Sequence, residues 1–107
     1  MTSLNSLRDI VHTMAKLKGW WDEDRSFGEV IALTHSELSE ALEEYRNDKP
    51  LVYYEDGKPE GVGIEMADVI IRILDWCGRE NFDIEKAVID KIKFNKTRPY
   101  KHGGKKI

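Results

Sequence analysis

Residues 26–46, SFGEVIALTHSELSEALEEYR, read as one long helix. Ser26 is a natural N-cap, and Ile31, Thr34, Leu38, Ala41, Leu42 and Tyr45 recur at the three- and four-residue spacing of an apolar stripe. On the same helix Glu37, Glu40 and Glu44 fall within about 60° of one another, an acidic edge beside that stripe.

Helical patterns also lie to either side. Leu4, Leu7, Ile10, Val11, Met14 and Leu17 predict a helix over 3–18, capped by Ser3 and ended by Gly19, and Trp20–Asp24 form the connection to the long helix. Asn47 to Gly63 hold two prolines and the Asp56–Gly57 turn pair, so this segment reads as a long loop with a short extended piece at Leu51–Tyr54. A loop of this length is functional or plainly irregular, and Tyr53 and Tyr54 are placed to cover a ligand. Met66, Val69, Ile70, Ile73 and Cys77 predict a third helix over 62–78, and Asp83 caps a fourth that ends before Pro99.

The expected class is therefore all-α: a four-helix antiparallel bundle filling one domain over 1–100, with a basic tail at 101–107. A 107-residue chain buries a modest share of its surface, so broad apolar helix faces predict completion by a homodimer or homotetramer. Cys77 is the one cysteine, which excludes an internal disulfide and a multi-thiolate metal site, and it reads as core packing. No membrane-length apolar run and no signal-like opening stand in the sequence, so the expected home is cytoplasmic, with no membrane partner. The first ninety residues carry net charge -10 and the last seventeen +7. An acidic body repels a long phosphate backbone, so no nucleic-acid polymer is expected and a small anionic ligand is.

The third helix repeats the acidic pattern with Glu65 and Asp68. If the two helices pack by their apolar stripes, Glu37, Glu40, Glu65 and Asp68 converge, and converging carboxylates need a cation. An all-oxygen set fits a hard ion, Mg2+ with Mn2+ as a substitute. A solvated helix face produces the same spacing, and sequence spacing does not separate the two. A di-iron bundle needs Glu-x-x-His pairs, and neither His12 nor His35 stands three residues after a glutamate. On the fourth helix, Lys91, Asn95 and Arg98 continue the apolar face of Ile84, Ala87 and Val88: either snorkelling stems or ligands for phosphate.

Three strings, HSELSEALEEYR, EMADVIIRILD and KIKFNKTRPYKHGGKK, together resemble the MazG-like all-α nucleoside triphosphate pyrophosphohydrolases. The family signature, Glu-x-x-Glu and then Glu-x-x-Asp, matches Glu37, Glu40, Glu65 and Asp68, and the likeness runs from about Lys18 to the C-terminus. One departure is Ser36, where many relatives carry an acidic residue; Glu44 is the candidate to replace it. The resemblance implies cleavage of a nucleoside triphosphate between the α and β phosphates, giving monophosphate and pyrophosphate. It implies metal ligation by the four carboxylates, a catalytic role for Glu37 or Glu40, and phosphate binding by Lys91, Asn95 and Arg98. Trp20, Trp21 and His35 are the candidates for holding the base, with one Trp expected in the core and the other at the pocket. A non-catalytic helical nucleotide-binding or interaction module is the alternative.

Overall fold

A computed structural model describes residues 2–100. Four helices, α1 (Leu4–Leu17), α2 (Phe27–Arg46), α3 (Val62–Arg79) and α4 (Ile84–Lys96), are joined by short links except between α2 and α3, where β1 (Tyr53–Glu55) and β2 (Lys58–Glu60) form a hairpin. The chain is thus mostly helical, as expected, with one small sheet added. The basic tail expected at 101–107 lies outside the described residues.

Helix ends fall close to those read from sequence because local polar groups fix them. Ser3 and Ser6 make a capping box, the Ser26 Oγ accepts the Glu29 N–H at 3.1 Å, and the Asp83 carboxylate accepts the Lys86 N–H at 2.9 Å. At the far ends, α2 and α3 turn out of the helix through Asp48 and Asn81, both with positive φ, whose neighbours Lys49 and Phe82 bond back to Glu44 and Cys77. The hairpin follows from Asp56–Gly57: φ values of 49° and 80° are the left-handed pair a two-residue turn requires. Its register pairs Tyr53 with Glu60.

Helix α3 is the centre of the fold, packed against α2 on one side and α1 on the other, while α4 packs chiefly on α1. Gly78 permits the α1–α3 approach, since a Cβ there would stand 2.4 Å from that of His12. The start of α4 is tied to α1 by Asn5, which exchanges hydrogen bonds with the backbone and carboxylate of Glu85 and donates to Asp83.

The core matches the stripes read in the sequence in part: Thr34, Ala41, Val69 and Cys77 of those stripes are buried, and the rest are not. On α2 the buried residues are Val30, Thr34 and Ala41, and on α3 they are Glu65, Val69, Leu74 and Cys77. Ile31, Leu38, Leu42 and Tyr45 on α2, and Met66, Ile70 and Ile73 on α3, are exposed. On each helix the apolar residues extend beyond the α2–α3 contact, which uses the arc that also carries the acids. A carboxylate is therefore inside while large aliphatic side chains are outside. Among the described residues, no helix is long and apolar enough to cross a membrane.

Candidate metal centre

The packing of α2 on α3 brings the paired acids together. Glu37, Glu65 and Asp68 each offer an oxygen lying within 4.8 Å of the others. Glu65, in the first turn of α3, is 8% exposed, and its Oε2 has no hydrogen-bond partner. Burial pushes its carboxyl up to about 7, helped by a shared hydrogen bond and the negative charge of Glu40, the charge of Asp68 and a bond with Glu37. Burial among like charges disfavours the ionised form, so without a cation Glu65 holds its proton to higher pH than an ordinary carboxyl. Asp68 is raised too, by burial and then by the charge of Glu37, against the opposing charge of Arg72. Glu40 stands at the exposed rim.

An orphaned, buried carboxylate oxygen among converging acids fits a hard divalent cation. Glu37, Glu65 and Asp68 would hold it, with Glu40 at the rim. The same donor set, without thiolate or imidazole, suits Mg2+ or Mn2+ better than softer metals.

Arg72, one turn beyond Asp68, grips Glu37 Oε1 from Nε at 2.9 Å and Nη2 at 2.8 Å. Next to this pair opens a cavity of about 370 Å³, walled by Trp20, Trp21, Leu33 and Ile71 and reaching Glu37 and Asp68. Both tryptophans line it, whereas the sequence predicts one of them in the core. The Trp20 ring lies under the guanidinium groups of Arg25 and Arg72, at 5.0 and 5.9 Å. Trp21 is held from the other side, its Nε1–H donating to Asp75 Oδ1 and Oδ2 at 2.9 and 3.1 Å. His12 Nδ1 is 2.8 Å from the same Asp75 Oδ1. A carboxylate only accepts, so the proton sits on Nδ1.

Other candidates lie apart. His35 is exposed on α2, and Lys91, Asn95 and Arg98 are on α4 or just beyond it, with Lys91 and Arg98 at 5.0 and 5.8 Å from the Phe94 ring. Among the described residues, no hydrogen bond or ion pair joins these three to the four carboxylates, because α4 packs on α1 and not beside the acid cluster. Tyr54 is exposed, whereas the Tyr53 hydroxyl donates to both oxygens of Glu44 at 3.1 Å.

Sequence reading passed over Arg72, Asp75 and Arg25. The signal for the first two was present: Glu65, Asp68, Arg72 and Asp75 follow one another at three-, four- and three-residue steps, a single polar line on α3. Arg25 carried none, because its place over Trp20 depends on how the connection folds.

No family model, curated protein or solved structure matches the chain.

Proposed function

We propose that this protein is a Mg2+-dependent nucleoside triphosphate pyrophosphohydrolase of the MazG-like class, cleaving between the α and β phosphates to release monophosphate and pyrophosphate. The observation that carries this reading is the buried Glu65 Oε2, without a partner beside Glu37 and Asp68, which themselves line a cavity walled by two indoles. A bound Mg2+ supplies polarisation of the α-phosphoryl group and a lowered pKa for water.

The chain's own groups do the rest. The indoles of Trp20 and Trp21 offer flat faces for a nucleobase of any identity. Arg25 and Arg72, at the cavity wall, neutralise phosphate oxygens, and movement of Arg72 onto phosphate frees Glu37 Oε1. Glu40, the most solvent-accessible of the four acids, is placed to accept a proton from the attacking water; Glu37 is the other candidate. Lys91, Asn95 and Arg98 reach the phosphates in this reading only from α4 of a second copy. The exposed aliphatic faces of α2 and α3 support a homodimer or homotetramer. A cytoplasmic home goes with a nucleotide substrate.

The ion pair that engages Glu37 favours a second reading, a nucleotide-binding module without turnover. Ion-exchange analysis of products from a panel of ribo- and deoxyribonucleoside triphosphates, with Mg2+, Mn2+ or chelator, separates the two. Monophosphate with pyrophosphate, only with metal, establishes the hydrolase; intact triphosphate retained by the protein establishes the module; diphosphate with phosphate overturns both.

A further inference from the structure

We infer that Glu44, Glu60 and Glu65 form a second divalent-cation site, which fastens the β1–β2 hairpin to helices α2 and α3. It shares Glu65 with the centre described above and rests on that reading only in treating this carboxylate as a cation ligand.

The three residues come from three elements: Glu44 from the last turns of α2, Glu60 from the end of β2, and Glu65 from the first turn of α3. Each offers one oxygen within 4.8 Å of the other two. Oxygens on opposite sides of a magnesium ion stand about 4.2 Å apart and of a calcium ion about 5 Å, so the spacing suits one hard cation. The observation that points to a ligand is Glu65, common to both acid groups, more than nine-tenths buried and with Oε2 lacking any partner. A buried acceptor left unpaired is costly, and a cation between the two acid groups removes that cost.

The surrounding groups are arranged to present ligands. The Tyr53 hydroxyl donates to both Glu44 oxygens, which orients that carboxylate, and Tyr53 is the cross-strand partner of Glu60. The hairpin thus supplies both a ligand and the group that aims another. Lys58 Nζ lies 3.1 Å from Glu60, but the Lys58 side chain is 76% exposed, against 16% for Glu60. It is a counterion that can swing into water when a divalent ion arrives. Glu65 belongs to both groups, with Glu37 and Asp68 in one and Glu44 and Glu60 in the other, so it becomes a bridge between two ions. The hairpin then becomes ordered by metal.

The test is to count Mn2+ bound to the metal-free full-length protein by the electron paramagnetic resonance of the free ion, with hydrogen exchange of the hairpin amides measured in parallel. Two ions per chain are expected, with Mn2+ slowing exchange over residues 53–60. Glu60→Gln and Glu44→Gln should each weaken one of the two at least about tenfold and abolish the slowing, while Glu60→Asp should restore part of it. Asp68→Asn should instead weaken the other ion and leave the hairpin response in place. Helical circular dichroism checks that each variant folds. Unchanged Mn2+ number and affinity in both Glu60→Gln and Glu44→Gln overturn the second site. If the native protein hydrolyses nucleotide yet binds one ion that Glu60→Gln does not alter, this inference fails and the hydrolase reading stands; if it binds two ions without hydrolysing nucleotide, the second site stands and the hydrolase reading fails.

Discussion

Arg72 holds Glu37 by one oxygen only: Nε and Nη2 both bond Oε1, at 2.9 and 2.8 Å. The guanidinium is thus a built-in counterion at the edge of the acid cluster, and it also draws the Asp68 carboxyl downward against burial. Removing it leaves three acids less compensated. Arg72→Ala should lower metal-free stability by about 1–2 kcal/mol, because a mostly buried charged partner is lost. Added Mn2+ should then raise the melting temperature more than it does in the native protein. An equal rise in both would show that Arg72 and the cation do not compete for the same carboxylate.

Metal-free stability should depend on pH with a definite sign. The Glu65 carboxyl titrates near 7 in the folded chain against 4.5 ordinarily, so the folded state binds the proton more tightly than the unfolded state. Its contribution is fully present below about pH 4.5 and is lost as pH rises through about 7. The neighbours that set this, Glu37, Glu40 and Asp68, are all acids, and Asp68 is shifted in the same direction. Thermal melts in chelator should therefore give a higher midpoint at pH 5.5 than at pH 8, and Glu65→Gln should flatten the slope. A midpoint that climbs over that interval would contradict the buried, proton-holding carboxyl.

Asp75 is the acceptor for both Trp21 and His12, so its loss strands two donors, of which Trp21 lines the cavity. Asp75→Ala should cost about 1–3 kcal/mol and shift tryptophan emission to the red as Trp21 loosens. In the hydrolase reading, KM for nucleotide rises while kcat changes little, because Asp75 positions the wall and touches no ligand of the cation. A selective fall in kcat would place Asp75 in the chemistry instead.

Two glycines should respond oppositely to alanine. At Gly78 the new Cβ meets that of His12 at 2.4 Å, so α1 and α3 must separate, with an expected loss of about 1–3 kcal/mol. At Gly28, in the first turn of α2, the nearest atom is the Ser26 Oγ at 3.8 Å, and the gain in helix propensity should stabilise by about 0.5 kcal/mol. Denaturant midpoints of the two variants decide it.

If the carboxylates hold a catalytic cation, Glu40→Gln and Asp68→Asn should each reduce turnover at least about a hundredfold while helical circular dichroism is retained, since an amide binds a hard ion poorly at position 68 and cannot take the proton of water at position 40. Full activity in both would remove the proposed centre.

Helix positions and ends were set locally, which is why they were legible. Ser3, Ser26 and Asp83 cap their own helices within three residues, and Asp56–Gly57 makes its turn whatever surrounds it. The two acidic edges, Glu37 with Glu40 and Glu65 with Asp68, were legible too, since three-residue steps put each pair on one side of its helix, but that Glu37, Glu65 and Asp68 converge was not. Periodicity did not reveal which edge each helix turns inward. Ile31, Leu38 and Ile70 look like core and are exposed, while Glu65 looks like rim and is buried, because α2 and α3 are each apolar over an arc wider than one contact covers. Nor does linear spacing carry pairings across elements: Arg72 with Glu37, Asp75 with Trp21 and His12, and Glu60 with Glu44 and Glu65 depend on distances between separate backbones. The sequence determined four helices, a turn and two acidic edges, all products of interactions within a few residues. The tertiary structure decided which arcs meet, and so which carboxylate is buried without a partner, because that choice is made by competition among whole helix faces for a contact only one arc of each can fill.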